Sequence, residues 1–231
     1  MIAITFALPT ESQEFLRSLS NKSRGNRNGI LTIHGKVDDR AIEVFHTGVG
    51  EKVCRQRVGK FLRDQHFDYL ISAGFAGALN DQLQLGDLLL AKNFSTVRTE
   101  ENFFLSSLQI HMADLLTVPA VIDSREERNK LALTSGAVAV DMETEFIARA
   151  CAAHGIPVLS LRVISDTPTE LFPAPANVLF DIERQQTQMP KLAAYLVAHP
   201  HRIPRLIQFA RRIARARKGL ADALVATVRG L

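Results

Sequence analysis

The chain has no tryptophan, two tyrosines and two cysteines among its 231 residues. Cys54 and Cys151 are too few and too far apart for a disulfide framework or a zinc knuckle, and both stand in stretches that read as buried helix faces, which fits a reducing cytoplasm. No apolar run reaches membrane-spanning length. Residues 1–8 are apolar but lack a basic leader, and Pro9, Glu11 and Glu14 interrupt them, so they read as a first strand and not as a signal. A phosphate-binding Gly-x-x-x-x-Gly-Lys-Ser/Thr is absent, as is a Gly-x-Ser-x-Gly elbow, and Gly48-Val49-Gly50 lacks the third glycine of a dinucleotide fingerprint. The seven histidines (34, 46, 66, 111, 154, 199 and 201) do not pair at metal-ligand spacing, apart from His199 and His201 beside prolines. No metal and no organic cofactor is expected.

An apolar content of 46% is enough to bury a sizeable core within one large domain. The net charge of +4 hides an asymmetry. Residues 191–231 carry nine Lys/Arg against one acid, Asp222, leaving 19 against 23 for residues 1–190. The expected division is a mildly acidic catalytic domain over 1–190 and a basic amphipathic helical extension over 191–231.

Apolar runs rich in β-branched residues recur at 2–7, 41–45, 69–73, 85–91, 137–140 and 156–164, bounded by Gly, Pro or charge. Their near-continuous apolarity predicts strands covered on both faces. Helix-period stretches lie between them. One follows the capping-box spacing of Thr10-Glu11-Ser12-Gln13, and another runs from Thr144 to a stop at His154-Gly155. The alternation predicts an α/β protein, a three-layer αβα sandwich around a central mixed sheet. Residues 21–28, polar and charged, read as a solvated loop.

In an open α/β sheet, ligands gather at the carboxyl ends of strands. The residues that follow the proposed strands are Glu11, Gly48-Val49-Gly50, Gly74-Phe75-Ala76-Gly77, Asp141-Met142-Glu143 and Ser165-Asp166. Each alone fits an ordinary turn or a first-turn acid favoured by the helix dipole. Together they place carboxylates and glycine loops at one edge.

These residues resemble the 5'-methylthioadenosine/S-adenosylhomocysteine nucleosidases of the purine nucleoside phosphorylase superfamily. The similarity covers residues 1–167, in order through Ala7-Leu8-Pro9-Thr10-Glu11, Thr47-Gly48-Val49-Gly50, residues 72–79, Leu85-Gly86-Asp87, Val140-Asp141-Met142-Glu143-Thr144 and Arg162-Val163-Ile164-Ser165-Asp166. The resemblance implies cleavage of a purine N-glycosidic bond. Expelling the base requires a proton for the leaving group and negative charge near the cation-like sugar. Asp166 would give the proton to purine N7, for which an apolar or like-charged setting is expected. Glu143 would bind the ribose hydroxyls with Met142 packed on the sugar, and Glu11 would take a proton from the attacking water, placed with the help of Arg162. Ser165 would steady Asp166, Gly74 and Phe75 would line the site, and Val121 with Ile122 would face the purine. Relatives also imply a homo-oligomer. The plainer alternatives are that Glu143 and Glu145 are first-turn acids and that Arg162 bridges a carboxylate, although a charge inside an apolar strand calls for a partner.

Three departures qualify the resemblance. Phosphorolytic members bind phosphate through an arginine and a serine where this chain has Ser72 and Phe75, which favours water as nucleophile. A residue such as Arg98 could compensate, so phosphorolysis stays as the alternative. The segment after Asp87 is short, so the 5' substituent is left open. The basic tail places Ile203, Leu206, Ile207, Ala210, Ile213 and Ala214 on one helical face, which fits docking on the body or peripheral contact with anionic lipid. A similar extension occurs in hopanoid-associated members that act on a lipid nucleoside such as adenosylhopane, and Phe75, Phe103 and Phe104 would suit an apolar substrate. Nucleic-acid binding is not expected from one basic helix without a reader motif. A nucleoside- or lipid-binding protein without catalysis is the remaining rival.

Overall fold

A computed structural model describes residues 1–97, 109–170, 178, 180–181, 185–187 and 189–231. Arg98, Phe103 and Phe104 lie outside the described residues. The strands of the main sheet are β1 (Ile2–Phe6), β2 (Ser20–Arg27), β3 (Ile30–Val37), β4 (Arg40–His46), β5 (Tyr69–Ala78), β6 (Leu88–Ala91), β7 (Ile110–Ala113), β8 (Leu115–Thr117), β9 (Ala139–Asp141) and β10 (Val158–Asp166). The helices are α1 (Pro9–Ser18), α2 (Glu51–Leu62), α3 (Arg125–Ser135), α4 (Thr144–Ala153), α5 (Met189–Ala198) and α6 (Ile203–Gly230).

One mixed sheet runs in the order β2-β3-β4-β1-β5-β10-β6-β7, with β9 added to β5 and β8 to β9. β4, β1, β5 and β10 are parallel neighbours. Their apolar residues point alternately to two cores, as the period of a strand requires. On one face Ile4, Phe6, Leu161 and Val163 meet Phe15 of α1 and Leu220 and Leu224 of α6. On the other, Ala3, Phe45 and Val158 meet Val58 and Phe61 of α2 and Ile147 and Cys151 of α4. The expected three-layer sandwich is thus the fold.

Several local expectations change. Residues 21–28 are not a loop but most of β2, an exposed edge strand paired antiparallel to β3 through an Asn28-Gly29 turn. The Gly74–Gly77 stretch does not follow a strand; it lies within β5, which extends to Ala78. α1 begins two residues earlier than Thr10 suggests, with Leu8 at its cap and Glu11 in its first turn. The tail is divided by the fold. Ala216, Leu220, Ala221, Ala223, Leu224 and Val228 belong to the main core, while Ile203 and Ile207 are exposed, so the second half of α6 is a layer of the body and only its start projects. Among the described residues no helix is long and apolar enough to cross a membrane.

Candidate active site

The parallel strands β1, β5 and β10 bring their distal residues to one level: Thr5 pairs with Ser72, and Ser72 with Ser160, so Arg162 stands opposite Gly74. β9 runs back against the end of β5, with Val140 opposite Gly77, and returns the chain to the same place before Glu143. Glu11, Glu143, Arg162, Gly74 and Phe75 thereby line one space, with Thr5, Thr47, Ser72 and Ile147 completing much of its wall. Its volume is about 10 Å³.

Glu11 is held by two backbone donors, Ala7 N–H at 2.9 Å and Leu8 N–H at 3.2 Å, both to Oε2. Burial outweighs these bonds and the charge of Arg162, and pushes the carboxyl up from 4.5 to about 7. Glu143 accepts from Gly50 N–H at 2.9 Å through Oε1. Gly50 has φ +86°, a left-handed conformation that glycine adopts without a Cβ clash, and this turns its N–H toward Glu143. Burial, then the neighbouring Asp141, raises the Glu143 carboxyl to about 8, and Glu11 adds to the effect. Two carboxyls that carry protons near neutrality therefore share one small space.

Arg162 has a carboxylate partner, as its place in an apolar strand demands. Its Nε and Nη2 each lie 3.1 Å from Asp141 Oδ2, Nη1 donates to Ser72 O at 2.8 Å and Leu161 O at 3.0 Å, and Nη2 donates to Ser72 Oγ at 2.8 Å and to Thr144 Oγ1. Asp141 is fixed in turn by Thr117 Oγ1 at 2.8 Å and by the Thr144 N–H and hydroxyl. Every nitrogen of the guanidinium is thus bound within the protein, and the residue acts on Glu11 through charge.

Asp166 departs from the expected setting. Instead of apolar or like-charged surroundings, it faces a cation: Arg128 Nη2 donates to Oδ2, and both side chains are almost wholly buried. Ser165 Oγ lies 2.7 Å from Asp166 Oδ1 and 3.3 Å from Ala76 O, so the expected Ser165–Asp166 contact is present. Met142 is half-buried and Val121 is exposed, but Ile122 is packed with Leu79, Val118 and Val140, which turns its side chain into the core and leaves Val121 as the accessible member of that pair. Arg128, which stands in the charged run Arg-Glu-Glu-Arg-Asn-Lys, is not among the residues expected from the sequence. Its spacing from Leu131 and Ala132, which pack inward, was the available signal. Among the described residues no group of His, Cys, Asp and Glu is arranged to hold a metal ion.

Known proteins resemble this chain in sequence and in fold. A 5'-methylthioadenosine/S-adenosylhomocysteine nucleosidase of Buchnera aphidicola subsp. Baizongia pistaciae is 24% identical over 196 residues, covering 72% of this chain and 78% of the relative. A DeoD-type purine nucleoside phosphorylase of Jannaschia sp. is 25% identical over 166 residues, covering 62% and 65%. Among solved structures, the Streptococcus pneumoniae 5'-methylthioadenosine/S-adenosylhomocysteine nucleosidase with a transition-state inhibitor superposes with a TM-score of 0.71 at 19% identity, covering 99% of this chain and 98% of the other. Futalosine hydrolase of Helicobacter pylori gives 0.72 at 16% identity, covering 100% and 97%. The family model of the phosphorylase superfamily matches residues 1–114 and 99–199, and the chain belongs to that superfamily.

Proposed function

We propose that this chain hydrolyses the N-glycosidic bond of an adenine nucleoside and releases the free base. The observation that carries this reading is the meeting of Glu11, Glu143 and Arg162 at a space of about 10 Å³. That is room for about one water beside the two carboxyls, and Phe75 adds to its wall an apolar ring that offers phosphate no hydrogen bond. Glu11 accepts a proton from the water, whose oxygen attacks the anomeric carbon; the charge of Arg162 helps Glu11 ionise. The bond to the base breaks with its electron pair passing to the base, which takes a proton from Asp166. Glu143, oriented by Gly50 N–H, binds the ribose hydroxyls, with Met142 against the sugar, and Val121 meets the purine. Free-base release from adenosine, inosine and 5'-modified adenosines, with and without phosphate, tests the reading. Strict phosphate dependence would establish phosphorolysis instead.

We further propose that the chain is cytoplasmic, self-associates and touches anionic membrane through the start of α6. The support is that the start of α6 exposes Ile203 and Ile207 one turn apart and carries exposed Arg205 and Arg211 on the same helix. A lipid-linked adenosine is the substrate that such membrane contact would suit. Flotation with phosphatidylglycerol vesicles checks this: wild type floats, and Ile207→Asp with Arg205→Glu stays behind. No flotation of wild type overturns it.

A further inference from the structure

We infer that Arg128 is the positioning residue that aims Asp166 at the leaving base and stabilises the charge left there when the proton departs. The inference rests on reading Asp166 as the proton donor. Arg128 is 1% exposed and is the largest fully buried side chain described. Two of its nitrogens are anchored to backbone from different parts of the fold: Nε to Ile122 O at 2.9 Å, before α3, and Nη1 to Ala78 O at 2.8 Å, at the end of β5. A planar guanidinium fixed at two points has no freedom at the third, so Nη2 presents its N–H in one direction, and Asp166 Oδ2 receives it.

Guanidinium donates hydrogen bonds and accepts none. A proton on Asp166 Oδ2 would therefore oppose an N–H, and the proton of the acid has to sit on Oδ1. Ser165 fits both states of that oxygen. Its hydroxyl donates to Oδ1 at 2.7 Å when the carboxyl is ionised, and has Ala76 O at 3.3 Å as its acceptor when Oδ1 carries the proton. During cleavage the Oδ1 proton moves to the base as the glycosidic electron pair arrives there, and Asp166 becomes a carboxylate already paired with a fixed cation. Stabilisation prepared in advance at a developing charge favours the transition state over the bound substrate. Gly77 leaves the room for the pair: a Cβ there would lie 2.7 Å from Asp166 Oδ2 and 3.1 Å from Arg128 Nη1.

The test is a double-mutant cycle on adenine release with the whole chain. Asp166→Asn should lower kcat by about 10²–10⁴-fold. Arg128→Met should lower kcat by a comparable factor with KM changed little, Arg128→Lys should recover part of the loss, and Arg128→Met added to Asp166→Asn should cost less than threefold more. Additive losses, no recovery with lysine, or unchanged kcat in Arg128→Met would overturn the inference while leaving Asp166 as the acid. Full activity in Asp166→Asn would instead remove the underlying reading. If Arg128→Met does not fold, Gly77→Ala takes its place in the cycle, with the same loss of kcat and the same non-additivity expected; full activity of Gly77→Ala, or a loss additive with Asp166→Asn, would count against the inference.

Discussion

Replacing Glu11 by Gln should make the protein more stable above neutrality and lower its activity by orders of magnitude. The buried carboxyl has its midpoint at about 7 against 4.5 for an ordinary glutamate. Between those values the unfolded chain has released the proton and the folded chain still holds it, so the folded state binds more protons and stability falls as pH rises. The contribution is fully present below about 4.5 and lost as pH passes through about 7. The displacement amounts to on the order of 3 kcal/mol. Glutamine keeps the shape, keeps an oxygen to accept from Ala7 and Leu8 N–H, and has no proton to lose. Thermal melts from pH 5 to 8 should show the variant gaining on wild type up to about pH 7 and keeping that lead, melting several degrees higher at pH 8. Adenine release should fall by about 10²–10⁴-fold, the usual contribution of a positioned base. Wild-type kcat/KM should itself climb with pH up to about 7, because the base must be ionised. A pH-independent stability difference, or a variant that keeps its rate, would refute the reasoning.

Four further outcomes follow from the same geometry. Glu143→Gln should also gain stability as pH rises from 4.5 to about 8, for the same sign of linkage, while losing kcat through the ribose contact; parallel melts and kinetics check both. Gly50→Ala forces a side chain into φ +86° and should destabilise by about 1–2 kcal/mol, with a larger effect on kcat/KM because the N–H to Glu143 turns away; urea titration and kinetics separate the two. Arg162→Met leaves Asp141 buried without its cation and should cost about 3–5 kcal/mol in urea unfolding. Leu224→Ala should cost about 2–5 kcal/mol, which checks that the second half of α6 is core and not appendage.

The strands that carry the site were legible because they are buried on both faces, and an uninterrupted apolar run ending in a carboxylate has few other readings. β2 was not, since an exposed edge strand has no apolar face to show its period, and its partner's backbone alone specifies it. The Asn28-Gly29 pair, a common hairpin turn, was the overlooked sign. Glu11, Glu143 and Arg162 could be named from sequence, but their protonation could not, because it depends on how completely distant segments close over them. Arg128 was hidden for a related reason: its helix places three charged residues in its first turn, and only the fold decides that the fourth points inward. The boundary drawn at 190 followed the change in charge, whereas packing on β10 and α1 follows the apolar residues of 216–228.

Hydrolysis is tested most directly by the origin of the oxygen in the sugar product. In phosphate-free buffer made with ¹⁸O water, turnover of an adenine nucleoside should release adenine and a free sugar labelled at its anomeric oxygen. Absence of turnover until phosphate is added, with a sugar 1-phosphate as the product, would contradict the account.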